Sequence, residues 1–522
     1  MSHTVTLPAP YHSMTFGAAL RAAMTRNPAK PAILCGDRTL SYGELVARAQ
    51  RLRDAAITTL GLRKGQTAAL IARNCIEYIE IVAGLPDAGV AVATINPRMT
   101  ASEIRVAIDD SRAALVIADA GSIEAVLAAD LDPAIQVIEL GLAYEALLAG
   151  ATTPATLPRI DEWDVWTIPY TSGTTGKPKG VLLSHRSRML VGLLSGAEFG
   201  CFGYDDTFLA MTPMNHGGGL GFPVGILAAG GTIEILDKFD PLQTLDRLKN
   251  GGITGIFMVP THFQMIFALP ADLTDPYRNP PIRTIISNAA PLPQALKEKI
   301  IPWFGEGILH EIYASTEAGL VCNMRPAWHL QKERCVGTPL PHVEVEIRRP
   351  DGTVCAVEEV GELFSRSPTH FNGYWHRDAE TAQAVQDGWV SVGDMARRDA
   401  EGFLYIVDRK KDMVISGGVN IYPREIEEVL FQHPAIADIA VVGQPDDTWG
   451  EVLEAFAVVR PGATLSVEDM AAFCAGTLTG YKIPRRLTLL DSLPRNANGK
   501  VLKTSLRKGA GQPVRVSSEA LS

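Results

Sequence analysis

Between Tyr170 and Gly180 the chain reads YTSGTTGKPKG, a run of glycine, hydroxyl and lysine side chains suited to an anion. Glycine lets a backbone curl so that its N–H groups converge on phosphate oxygens; hydroxyls add donors and lysine adds a point charge. The P-loop of nucleotide-binding proteins needs four residues between its glycine and its Gly-Lys pair, and then Ser or Thr. Here only Thr174 and Thr175 separate Gly173 from Gly176, and Pro178 follows Lys177. The stretch has phosphate-loop chemistry without the P-loop pattern, and taken alone a polar turn explains it equally well. Other polar, glycine-marked stretches hold Thr316 and Glu317 (EIYASTEAG), Asp394 (DGWVSVGDMA), Arg409 with Ser416, Gly417 and Gly418 (DRKKDMVISGGVNIYP), and Lys500 (LPRNANGKVLK). Singly, each reads as a turn, a helix cap or a solvated surface residue.

Positioning such groups requires a scaffold, and the pattern predicts one. TAALIA (67–72) reads as a buried strand, the segment from Asn74 to Gly89 has apolar residues at helical spacing, and VAVATINP (90–97) returns as a strand. That is a β-α-β unit, which implies a mostly parallel sheet covered by helices. Further strands are expected at GGTIEIL, GITGIFMV, IRTIISN and GILHEIYA. Near residue 408 the pattern changes to charge- and glycine-rich sequence. IADIAVVGQPD, EAFAVVRPG and VEDMAAFCAGTL then supply strand-strand-helix material for a small α+β domain. The polar tail from Lys508 is expected to fray.

The 522 residues exceed one compact core, and 46% hydrophobic with 20% charged residues describes a globular chain. A net charge of −10 argues against general nucleic-acid binding. No apolar run is long enough for a transmembrane helix, the N-terminal sequence does not resemble a secretory signal, and the C-terminal sequence lacks a peroxisomal Ser-Lys-Leu. Seven widely spaced cysteines show no zinc pattern; reduced thiols and a cytoplasmic location are expected.

Taken together and in order, these stretches resemble the adenylate-forming superfamily of acyl-CoA synthetases, amino-acid adenylation domains and luciferases, from LSYGEL (40–45) to NGK (498–500). The resemblance implies an AMP-binding domain (1–408) of α/β subdomains plus a distorted β-barrel, a hinge (409–411) and a small, mobile α+β lid (412–522). It implies that ATP and a carboxylate give an acyl adenylate and pyrophosphate, after which a thiol, usually that of CoA, displaces AMP. Thr171, Ser172, Gly173, Thr174, Thr175 and Lys177 would then hold the departing phosphates. Glu317 would hold Mg2+, a hard cation that prefers oxygen ligands. Thr316 would bond the α-phosphate, Asp394 the ribose hydroxyls, and Arg409 would assist at the nucleotide. Lys500 would bridge the carboxylate and the α-phosphate, where charge develops. Ala314 replaces the family's usual glycine, a methyl that would narrow the floor of the acyl pocket.

The stretch TPMNHGGGLGF (212–222) matches the family's acyl-pocket segment, with His216 at the wall. No acidic residue lies between Met211 and Leu227, so an amine-bearing substrate is disfavoured. Glycines 217, 218, 219 and 221 remove bulk, and Gly218 in place of an aromatic suggests room for a large acid. Phe257, Met258, Val259 and Pro260 would add apolar wall, or form an ordinary core strand. The expected substrate is an apolar carboxylic acid: medium- or long-chain fatty, or bulky alicyclic or aromatic. For CoA, the resemblance offers Arg98, the tunnel Ser416-Gly417-Gly418, Trp449 and Lys482. A stand-alone ligase that charges a carrier protein, a luciferase-like oxygenase and a non-catalytic nucleotide-binding regulator are the alternatives. A homodimer is left open.

Overall fold

A computed structural model describes residues 13–172, 178–495, 501–509 and 514–517. By packing, the chain divides into two compact units, 1–345 with 365–390 and 346–364 with 391–522.

Two large sheets form the first unit. In one, strands Leu309–Ser315, Thr284–Ser287, Gly255–Met258, Thr207–Ala210, Thr232–Ile235 and Pro31–Cys35 lie side by side and parallel, with antiparallel strands at both edges. The other contains the expected β-α-β unit: Thr67–Ile71 pairs parallel with Ala91–Thr94, and helix Ile76–Asp87 joins them. All five residues of Thr67–Ile71 are buried, as a strand covered on both faces must be. Ala91–Thr94 in turn pairs parallel with Val165–Ser172, the strand that leads into the glycine-threonine stretch. Trp166 anchors that strand: it is 1% exposed and its indole N–H donates to the Val82 carbonyl at 2.7 Å.

Helices His185–Phe199 and Gly217–Ala229 approach very closely. A Cβ on Gly192 would lie 2.9 Å from the Cα of Gly225, so two glycines are what allow the backbones to meet.

In the second unit, Asp394–Arg398 pairs antiparallel with Gly361–Arg366 and with Leu404–Arg409. This sheet stands where the resemblance implied a distorted barrel. Beyond it, Ile436–Asp446 and Gly450–Val459 form a long antiparallel pair over a core that includes Ile426, Leu430, Val441 and Met470. Helix Val467–Cys474 falls where the sequence placed it. The tail does not fray throughout: Val514–Ser517 pairs antiparallel with Arg486–Leu489, because the edge of that sheet offers unpaired backbone groups. No disulfide links the seven cysteines, all of which are among the described residues.

His185 is buried beside Trp166, and neither ring nitrogen has a hydrogen-bond partner among the described residues. Burial pushes its pKa from the ordinary 6.5 down to about 4. The unfolded chain therefore binds a proton that the folded His185 refuses, and stability is lost as pH falls from 6.5 towards 4. His185→Gln should recover about 2 kcal/mol of the loss between neutral pH and about pH 5, read from denaturant unfolding at the two pH values. An unaltered pH dependence in the variant would show that His185 is not responsible.

Candidate active site

Strand Val165–Ser172 turns back antiparallel into Pro178–Gly180, with Thr171 opposite Lys179 and Ser172 opposite Pro178. These two antiparallel strands flank the glycine-threonine stretch in sequence. Thr171 and Ser172 close the first of them, whereas Gly173, Thr174, Thr175 and Lys177 lie outside the described residues. So does Lys500.

Thr316 and Glu317 occupy the tight turn between antiparallel strands Leu309–Ser315 and Gly319–Met324, where Ser315 faces Gly319. Gly319 has φ +67° and sits against Thr369, so a side chain there would be both strained and obstructed. The Glu317 carboxylate is half-buried and accepts a hydrogen bond from the Tyr374 hydroxyl at 2.9 Å. Burial and the Glu317 charge both push the Tyr374 phenol well above its ordinary pKa, so it remains a donor. The Lys179 ammonium lies 5.4 Å from the Tyr374 ring centre and pairs with Glu380. Strand Pro178–Gly180, tyrosine and Glu317 thus form one contact chain. No group of three metal-ligating side chains occurs among the described residues. A single carboxylate nevertheless suits Mg2+, which commonly takes one or two protein carboxylates and fills its shell with phosphates and water.

His216 occupies the N-cap position of helix Gly217–Ala229 without a side-chain capping bond, and its ring lies 3.4 Å from the Asn215 amide. Burial, and then the charge of Arg98, lower its pKa, so the ring is neutral at pH 7. A narrow cavity of about 10 Å³, room for about one water, lies next to it and is bordered by Thr94, Trp166, Arg188, Met214 and Gly221. The room is not where the sequence suggested. A Cβ on Gly218 would lie 2.8 Å from the Phe257 ring, which already fills that space, whereas Gly217 and Gly221 have nothing within 4 Å. Phe257 packs on Phe222, with ring centres 5.2 Å apart, while Met258 points into the core on the other face of the sheet. Val259 and Pro260 begin the next helix. Ala314 lies at an irregularity in the strand pairing, opposite Leu320.

In the second unit Asp394 is 6% exposed and faces Arg409 across the sheet, with Nε and Oδ1 3.3 Å apart. Gly417 and Gly418, both at positive φ, form the two-residue turn between strands Val414–Ser416 and Val419–Ile421. Trp449 packs against that turn, its carbonyl accepting the Gly417 N–H at 2.8 Å, and Arg485 lies 4.8 Å from its ring centre. Ser416, Gly417, Gly418 and Trp449 are thereby brought together. Lys482 pairs with Glu425 at 2.7 Å. Arg98 is exposed and close enough to His216 to act on its charge.

Sequence reasoning missed Tyr374, Arg188 and Asp110. Asp110 accepts from the Tyr170 hydroxyl at 2.9 Å and from Arg377 at 2.8 Å. The aromatic pair Tyr374-Trp375 beside Asn372-Gly373 was the available signal for the first of these.

A parallel-sheet scaffold, with antiparallel strands flanking the glycine-threonine stretch and a carboxylate held by a tyrosine, is compatible with a nucleotide-using enzyme. Residues 20–375 match the model of the AMP-binding enzymes and residues 425–500 that of the AMP-binding enzyme C-terminal domain. The chain is 34% identical over 498 residues to a 2-succinylbenzoate–CoA ligase of Geobacillus kaustophilus, covering 94% of this chain and 96% of the relative. It is 32% identical over 490 residues to the fatty acid–[acyl-carrier-protein] ligase ScoC of Streptomyces coeruleorubidus, covering 92% and 93%. Its fold matches the o-succinylbenzoate CoA synthetase MenE of Bacillus subtilis, solved with ATP and magnesium ion, at TM-score 0.83 and 29% identity, over 94% of this chain and 98% of the other. The chain belongs to the AMP-binding, adenylate-forming enzymes and is an AMP-forming acid–thiol ligase.

Removing the phenol that orients Glu317 should weaken magnesium binding. Tyr374→Phe is expected to raise the magnesium concentration for half-maximal activity by about 10–100-fold, the usual cost of losing a partner behind a metal ligand. A magnesium titration of wild type and variant checks this; coincident curves would show that Glu317 needs no such support.

Proposed function

We propose that the protein is an ATP-dependent acyl-CoA synthetase that activates a carboxylic acid with a bulky, largely apolar body. The observation that carries this reading is the Glu317 carboxylate, fixed by Tyr374, whose ring lies beside Lys179 on the strand that follows the glycine-threonine stretch. Donors at Thr171, Ser172, Gly173, Thr174 and Thr175, with the Lys177 charge, receive the β- and γ-phosphates, and Thr316 the α-phosphate. Glu317 holds the magnesium, whose charge favours departure of pyrophosphate. Asp394 accepts from the ribose and Arg409 adds charge at the nucleotide. Lys500 stabilises the negative charge that grows as the acid attacks the α-phosphate. A neutral His216 and the open space at Gly217 and Gly221 receive the acid. In the second step Arg98, Ser416, Gly417, Gly418, Trp449 and Lys482 guide CoA. Transfer to a carrier protein is the second reading, favoured by the relative that charges an acyl carrier protein.

Two substitutions separate the half-reactions. Lys500→Ala should cut acyl-adenylate formation by about 10²-fold or more, while presynthesised acyl-AMP plus CoA still gives thioester. Equal losses in both steps would remove Lys500 from the adenylation step alone. At the proposed hinge, 409–411, Lys411→Pro should retain adenylate formation and block thioester formation, because proline fixes φ where a pivot must change it. Unchanged rates in both halves would exclude the hinge. Product analysis with CoA and with a phosphopantetheinylated carrier protein decides between the two acceptors.

A further inference from the structure

The cavity next to His216 contains a charge that the mechanism above does not use. Arg188, on helix His185–Phe199, is 6% exposed and lines the cavity together with Trp166, Thr94 and Met214. A buried arginine is ordinarily paired with a carboxylate, because an unpaired charge in a low-dielectric interior is costly. Among the described residues Arg188 has no such partner. Its hydrogen bonds are to two neutral acceptors, the Thr369 carbonyl at 2.7 Å and the Ser187 hydroxyl at 3.3 Å. It makes no ion pair among the described residues, and the residues outside them include one acidic side chain, Glu519. Burial lowers its pKa only to about 10, so it remains a cation at neutral pH. A guanidinium carries five N–H donors, and two hydrogen bonds leave most of them unanswered.

Other buried charges in the same unit show how this protein ordinarily treats them. Lys297 and Glu311, 1% and 7% exposed, pair at 2.5 Å. The buried Glu80 is met by Arg48 at 2.6 Å and by the Tyr144 hydroxyl at 3.0 Å. Arg188 departs from that pattern at the one place where a small molecule is expected to enter. The close crossing at Gly192 and Gly225 fixes its helix against the helix that follows His216, so the cation cannot be carried away by a shift of either.

We propose that Arg188 is a specificity-determining residue that receives a second anionic group on the substrate, so that the preferred acid is a dicarboxylate whose far carboxylate pairs with the guanidinium. This rests on the ligase reading, and it narrows the apolar acid of that reading to one with an apolar body and a charged end. A methyl-terminated acid of equal length would leave the guanidinium buried and unpaired, which is the condition under which polar pockets discriminate most strongly.

The test uses matched pairs, each an α,ω-dicarboxylic acid and the monocarboxylic acid of the same carbon number, in aliphatic and benzoate-containing series. Two readouts are taken on the full chain: pyrophosphate exchange with ATP and magnesium, and calorimetric binding of the acid itself. Wild type should favour the diacid of the best pair by at least about tenfold in kcat/KM and in affinity. Arg188→Met should bring that ratio close to one, and Arg188→Lys, which keeps the charge without the planar fork, should fall between. A wild type that exchanges with monoacids at least as well as with diacids would overturn the role of Arg188 and leave the ligase reading intact, and this arm needs no variant to fold. A drop of equal factor on both members of a pair in Arg188→Met and Arg188→Lys would also overturn it, by assigning Arg188 to holding Thr369. Binding that favours diacids and depends on Arg188, with no exchange for any acid, would uphold the subsite and overturn the ligase reading.

Discussion

One short strip of backbone, Phe371 to Trp375, holds the chemistry of the first unit together. The Phe371 N–H donates to the Glu317 carbonyl at 2.8 Å. Asn372 N–H donates to Leu182, Leu182 N–H to Gly373, and Trp375 N–H to Gly180, at 2.8, 2.9 and 2.9 Å. The strip thus stitches the turn that bears Glu317 to strand Pro178–Gly180 and to Leu182 beyond it. Backbone hydrogen bonds suit this task because they do not depend on a rotamer, and each lost one would leave a polar group unsatisfied. Asp110 completes the frame through Tyr170 on strand Val165–Ser172, Arg377, and a backbone carbonyl that accepts the Trp375 indole at 3.0 Å. The separation between Glu317 and the strand Pro178–Gly180 is thus set by main chain.

Elements with a strong local signal were legible in the sequence. Thr67–Ile71, Ile76–Asp87 and Ala91–Thr94 fall where apolar runs and helical spacing put them, because burial on both faces leaves no choice of residue. The family was legible through the order of its motifs along the chain. What could not be read was anything made by residues distant in sequence. Tyr374 reaches Glu317 across 57 positions, and no local pattern announces it. The room assigned to Gly218 was misjudged for the same reason. A glycine marks a missing side chain, and only the packing shows that Phe257 has taken its place. The tail at 514–517 was misread because composition speaks for solvation, whereas an open sheet edge recruits backbone regardless of side chain.

The cavity next to His216 has an electrostatic logic that composition hides. With a net charge of −10 the whole chain repels anions weakly, yet the cavity next to His216 presents positive charge. Arg98 helps to keep His216 neutral, so the histidine can face an acid without a formal charge of its own to be buried. Arg188 stays charged because guanidinium is too strong a base for burial to neutralise. An ammonium-bearing substrate would meet a neutral ring and a buried cation, and neither compensates it. On the proposed reading, an amine is disfavoured by an existing positive charge as well as by the absence of a pocket aspartate, and the positive charge is the stronger of the two. A missing aspartate only fails to attract, whereas an unpaired guanidinium in a low-dielectric cavity repels every cation and gains from any anion placed against it.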